Sequence, residues 1–130
     1  MVLGRTKEDC MAAIYVLGKS RKIVRSVDVA NKLGITKPSV SVMLRALEEE
    51  GFVKKAPAED LYELTLTEKG REFAQQLHER RCFFTDLLVW AGVSQEAAEK
   101  EACELEHALS QESFHLVRAA VERQRAAHHA

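Results

Sequence analysis

Residues 26–51 read SVDVANKLGITKPSVSVMLRALEEEG, and this stretch decides the fold. Two short amphipathic runs flank the tight turn Gly34-Ile35-Thr36. Ser26 is placed to cap the first run, whose apolar face is Val27, Val29, Ala30 and Leu33. Thr36 is placed to cap the second, with Pro38 in its first turn, where a missing N–H costs little. That helix carries Val40, Val42, Leu44 and Leu47 and stops at Gly51. Two β-prone runs follow, Phe52–Lys55 and Leu61–Leu66, joined by residues 56–60. In the second, Leu61, Glu63 and Thr65 alternate with Tyr62, Leu64 and Leu66, the period of a small hairpin. A helix-turn-helix followed by a hairpin is a winged helix-turn-helix.

Working outward, Thr6 to about Leu17 predicts a preceding helix with Met11, Ile14, Tyr15 and Leu17 on its apolar face and Thr6 and Asp9 as a capping pair. The connector from Gly18 to Arg25 is basic. Charge is unevenly spread: residues 1–55 hold eleven Lys/Arg against six Asp/Glu, whereas residues 56–130 hold eight against fourteen. A basic half suits the DNA backbone, and an acidic half has another task. The expected base-facing residues are Thr36, Lys37, Pro38 and Ser39 at the start of the second helix, with Ser41 just beyond. Lys22 and Arg25, with Lys19 and Arg21, and the wing residues Lys54 and Lys55 supply phosphate contacts. Val42 is open to two readings, a thymine-methyl contact or core packing.

The remainder predicts three more helices. Thr67 caps one to about Ala91, ended by Gly92; Ser94 caps one through Leu109; Ser110 caps one to about Gln124, beyond which the apolar period is lost and fraying is expected. The chain is therefore mainly α, an N-terminal winged helix (residues 1–72) followed by a helical domain (residues 73–130). Within the latter, Cys103, Glu106 and His107 stand at i, i+3 and i+4, so a thiol, a carboxylate and an imidazole leave one helical face. Taken singly, each has an ordinary reading: a buried thiol, a surface carboxylate, a core histidine. His78 and Cys82, also at i and i+4, form a second candidate pair, equally readable as a surface histidine and a packed thiol. Three cysteines, no membrane-length apolar run and no export signal predict reduced thiols and a cytoplasmic protein away from membranes. No nucleophile or substrate-pocket signature accompanies the ligand-type residues, which argues against a small metalloenzyme.

Four stretches carry a resemblance to a known family: Glu8-Asp9 with Ile14-Tyr15, Thr36–Ser41, Leu64–Gly70, and Glu101-Ala-Cys-x-x-Glu-His-x-x-Ser110. In this order the chain resembles the diphtheria-toxin-repressor family of iron- or manganese-dependent regulators, over nearly its whole length. The resemblance implies a primary metal held by Asp9, Cys103, Glu106 and His107. It also implies a homodimer on a palindromic double-stranded operator, with repression in the metal-replete state. A cysteine at position 103 resembles the iron-responsive members, and a thiolate suits Fe(II), Co(II), Ni(II) or Zn(II) better than Mn(II). Fe(II) is therefore the expected effector, with Mn(II), Co(II), Ni(II) or Zn(II) as substitutes. The positions that hold a second ion in many members are Ala12, Arg81 and Thr85 here, none able to act as that ligand. Arg81 is expected to replace the ion by pairing with Glu99. Phe83, Phe84, Leu87, Leu88, Trp90, Phe114, Leu116, Val117 and Val121 are candidates for the dimer interface. A metal-independent winged-helix regulator is the principal alternative.

Overall fold

A computed structural model describes residues 5–58 and 61–129. The elements run α1 (Arg5–Ser20), α2 (Ser26–Leu33), α3 (Lys37–Glu49), β1 (Val53–Ala58), β2 (Leu61–Leu66), α4 (Glu68–Trp90), α5 (Gln95–Leu105) and α6 (Gln111–His129). The mainly helical winged-helix architecture expected from the chain is the one observed. None of the helices is long and apolar enough to cross a membrane, among the described residues. The chain divides into two compact units, Val2–Leu77 and His78–Ala130, the division falling inside α4. The first turns of α4 stay with the winged helix because Ala74 is buried in its core and Phe73 packs against it.

In the first unit, Gly34 follows α2 with φ 68°, a left-handed conformation that a glycine adopts without a Cβ penalty. Its cap lets Ile35 N–H bond the Ala30 carbonyl at 3.1 Å, closing the tight turn. Thr36 then caps α3, its Oγ1 accepting from Ser39 N–H at 3.3 Å. Two other expected caps differ. Arg25 rather than Ser26 is the cap residue of α2, its N–H bonding Asp28 Oδ2 at 2.9 Å. Thr6 lies within α1, which already includes Arg5, so it is not a cap.

β1 and β2 pair antiparallel from Val53↔Leu66 to Ala58↔Leu61. Tyr62, Leu64 and Leu66 share one face of β2; Leu64 and Leu66 enter the core, whereas Tyr62, nearer the hairpin end and paired with Pro57, is exposed. The wing is tied to the connector before α2 by Leu64 N–H to the Val24 carbonyl at 2.7 Å. Met11, Val29, Val40, Leu44, Leu47, Phe52 and Val53 are the fully buried centre. Each such side chain removed from water contributes about 1.5–3 kcal/mol. Thr67 joins wing to α4 twice, donating to the Gly51 carbonyl at 2.6 Å and accepting from Gly70 N–H at 3.0 Å.

The second unit has a smaller core of Phe84, Ala102 and Phe114, packed by Phe83, Leu87, Leu105 and Leu109. Phe83 meets Phe114 edge-on, centroids 5.6 Å apart. Ser94 and Ser110 cap α5 and α6 as expected. Two expectations fail here. α5 ends at Leu105 rather than Leu109, with Glu106 as its cap residue. α6 remains helical to His129 instead of fraying near Gln124, and Arg125 lies 5.3 Å over the Trp90 ring, an anchor that apolar periodicity does not register.

Candidate metal centre and nucleic-acid interface

The α3 surface is built by the same turn that fixes the fold. Thr36, Lys37, Pro38, Ser39, Ser41 and Val42 are exposed, Val42 by 71%, so it is not a core residue of this unit. Thr36 and Ser39 also bond one another through their hydroxyls at 2.9 Å. Arg45 is exposed as well, a residue that sequence reasoning passed over; its spacing of four from Ser41 and eight from Lys37 was the available signal. Lys22, Lys54 and Lys55 are exposed. Arg25 is only half-buried, at the cap of α2, and Arg21 reaches Asp28 at 3.4 Å.

In the second unit, Cys103, Glu106 and His107 come together with Arg81. They do so although the motif outruns its helix. Glu106 N–H still bonds the Ala102 carbonyl at 2.9 Å, while His107 and Ala108 bond back only three residues, to Glu104 and Leu105. A tightened last turn, not a continuous helical face, therefore positions His107. The carbonyls released by this ending are taken by Arg80. Its guanidinium donates to the carbonyls of Glu106 (3.1 Å) and Leu109 (2.7 Å) and to Gln111 Oε1 (2.7 Å). Arg80 is buried, and nothing in its neighbouring residues marks this role.

Glu106 is the hub of the cluster and is wholly buried. Arg81 grips its carboxylate with two bonds, Nε to Oε2 at 3.0 Å and Nη2 to Oε1 at 2.6 Å. The same Nη2 lies 3.6 Å from Cys103 Sγ, and His107 Nε2 lies 3.3 Å from Glu106 Oε1. Burial by itself would raise the Glu106 pKa, but hydrogen bonds from His107 and Arg81, with their charges, hold it below the usual value. The expected Arg81–Glu99 pair is not formed: Glu99 is exposed on α5 and accepts from Gln95 Nε2 at 2.8 Å, one turn away. A buried carboxylate competes better for the guanidinium than an exposed one already bonded.

His78 and Cys82 are adjacent, Nε2 to Sγ 3.6 Å, with the thiol exposed. Thr85 bonds its hydroxyl to the Arg81 carbonyl at 2.7 Å, and Ala12 is buried. Asp9 is half-buried on α1 of the first unit, next to the fully buried Cys10. The donor chemistry of Cys103, Glu106 and His107 fits a divalent cation, because a cationic group already bridges the thiol and the buried carboxylate. Of the apolar residues considered for dimerisation, Phe83, Phe84, Leu87 and Phe114 build this unit's own core. Trp90, Leu116 and Val117 are exposed.

Two family profiles match the chain in order. Residues 2–61 match the profile described as iron-dependent repressor, N-terminal DNA-binding domain. Residues 67–130 match iron-dependent repressor, metal-binding and dimerisation domain. The chain is 37% identical over 90 residues to the transcriptional regulator MntR of Salmonella typhimurium, covering 69% of this chain and 55% of that protein. It thus spans about half the length of such curated relatives. An uncharacterised HTH-type transcriptional regulator of Methanocaldococcus jannaschii is 32% identical over 112 residues, 85% of this chain and 87% of that one. A solved manganese-dependent transcriptional repressor in complex with manganese superposes with TM-score 0.78 at 25% identity, over 89% of this chain and 52% of that chain. With both profiles matched in order, the chain belongs to the iron-dependent repressor family, with a DNA-binding domain followed by a metal-binding and dimerisation domain.

Proposed function

We propose that the protein is a transcriptional regulator whose DNA binding depends on a divalent metal, acting as a homodimer that represses from a palindromic operator. The observation that carries this reading is the buried Glu106 carboxylate with Cys103 and His107 beside it, in a chain that also presents an exposed α3 surface. The proposed ligands are Asp9, Cys103, Glu106 and His107, the first supplied by the family resemblance. Bound to them, an ion would supply positive charge to the buried Glu106 carboxylate and to the Cys103 sulfur. Because Asp9 belongs to the DNA-binding domain and the others to the second domain, occupancy of all four is linked to how a dimer presents its α3 helices.

Fe(II) is the proposed effector, with Co(II), Ni(II), Zn(II) and Mn(II) as substitutes, Mn(II) the least favoured by a thiolate donor. Two solved structures to which the chain is similar are described as a manganese-dependent repressor and as a manganese regulator, which describes those proteins. On DNA, Lys37, Ser39, Ser41, Val42 and Arg45 of α3 face base edges, with Thr36 and Pro38 shaping the helix start. Lys22, Arg25, Lys54 and Lys55 hold phosphates. Trp90, Leu116 and Val117 are the exposed apolar residues offered to a second copy. The family consists of transcriptional regulators, and no enzymatic step is assigned.

The test is fluorescence anisotropy on DNA from the protein's own upstream region, under anaerobic reducing conditions, with and without Fe(II). The wild type should bind at least about tenfold tighter with metal, and His107→Ala should lose that gain. Equal affinity in all four cases would favour a metal-independent winged-helix regulator. Tighter binding of Mn(II) than of Fe(II) in direct titration would overturn the choice of metal.

A further inference from the structure

Arg81 reaches from α4 to two of the proposed ligands. Its guanidinium holds both oxygens of Glu106, at 3.0 and 2.6 Å, and stands 3.6 Å from Cys103 Sγ. A guanidinium and a divalent ion are both cations, and here they seek the same carboxylate and the same sulfur. At such distances in a poorly solvated site their repulsion is too large for both to be accommodated. We propose that Arg81 is a displaceable internal cation: it neutralises Glu106 and bonds the Cys103 sulfur in the metal-free protein and must leave them before a divalent metal can be bound. This rests on the metal-regulator reading above and adds to it a residue that sets the metal threshold.

Two further observations give the displacement a route. The Arg81 side chain is 29% exposed whereas Glu106 is 0% exposed, so the guanidinium can move outward while the carboxylate stays in place. On the side away from the buried Glu106, α4 and α5 border an open cleft of about 700 Å³ that Cys103 also lines, with Arg81 itself and Asp86, Glu96, Glu99 and Lys100 around it. Three carboxylates against one lysine favour a displaced guanidinium there, and the long flexible side chain lets it swing without unfolding α4. The neighbouring Arg80 is the contrast, 9% exposed and held by three acceptors, and it stays.

The consequence is quantitative. Apparent metal affinity equals the affinity of the open site multiplied by the fraction of molecules in which Arg81 has moved out. A bidentate, charge-assisted pair on a buried carboxylate keeps that fraction small. Removing the guanidinium should therefore tighten metal binding, the opposite of what removing a supporting residue does.

The experiment titrates Co(II) into the full chain, anaerobic and reduced, comparing wild type, Arg81→Ala and Arg81→Gln. Thiolate-to-cobalt charge-transfer absorbance reports the site directly, and thermal melts of each protein with and without cobalt provide a second readout. Glutamine keeps a hydrogen-bond donor near Glu106 without the charge, so that variant guards against simple loss of folding. Both variants should melt lower than wild type without metal, bind Co(II) roughly tenfold or more tighter, and gain more in melting temperature when metal is added. If wild type binds Co(II) and the folded variants bind it no tighter, Arg81 is a support and not a competitor; the proposed function then stands and this inference falls. If none of the three binds Co(II), both fall together.

Discussion

Arg80→Met isolates what positions the metal motif. Three bonds from one buried guanidinium hold the segment just after α5, at 3.1, 2.7 and 2.7 Å. Methionine keeps much of the bulk above Phe114, whose ring centroid lies 5.7 Å from the guanidinium carbon, so packing loss is a minor part of the effect. Hydrogen bonds to a charged donor contribute about 1.5–3 kcal/mol each. They share one group and do not add fully, but two carbonyls also lose their donor, so roughly 3–5 kcal/mol is expected. For a unit this small that corresponds to a fall of about 10 °C or more in melting temperature. Because the Glu106 carbonyl is one of the anchors, Glu106 and His107 lose their fixed geometry, and Co(II) affinity should drop about 10–100-fold. Calorimetry and a cobalt titration read the two effects. Glu79→Ala is the control: its contact with Arg118 is exposed and 3.9 Å long, so the change should stay within about 0.5 kcal/mol. An Arg80→Met protein that melts within about 2 °C of wild type, where roughly 3–5 kcal/mol should cost far more, would refute the reasoning.

Gly70→Ala tests the junction between wing and α4. An added Cβ would lie 2.0 Å from the Phe52 carbonyl oxygen and 2.9 Å from its carbon, both backbone atoms that cannot rotate away. Alanine's helical advantage of about 1 kcal/mol is outweighed by overpacking at the upper end of about 1–3 kcal/mol, because the clash is with backbone, and by disturbance of the Thr67 N–H bond to that oxygen. Urea denaturation should show a clear loss, and a stabilised variant would contradict the packing. Cys10 gives the pH test. Burial, reinforced by the Asp9 carboxylate, pushes its thiol up to about 12 from 9.0. A raised folded pKa means that its contribution is complete below pH 9 and is lost as pH climbs toward 12, because the unfolded chain ionises first. Cys10→Ala should flatten that alkaline decline, and at a pH of about 8 a thiol reagent should modify exposed Cys82 well before Cys10.

Much of this protein is legible in its sequence, and for local reasons. A turn glycine, cap hydroxyls at Thr36, Ser94 and Ser110, a period-2 run from Leu61 to Leu66 and apolar helical faces are properties of short windows. They specify the winged helix and the helical second half. Cys103 and Glu106 are brought together for the same reason, since residues three apart are neighbours on one turn, whereas His107 is placed by the tightened turn that follows α5. What only tertiary structure decides lies between distant segments. The segment after α5 is held by Arg80, which donates to the carbonyls of Glu106 and Leu109 and stands 26 residues before Glu106 in the chain. Arg81 turns to Glu106 rather than Glu99 because one carboxylate is buried and the other is solvated. Capping and periodicity depend on neighbours in sequence, whereas the partner of a long cationic side chain depends on which carboxylate packing has removed from water.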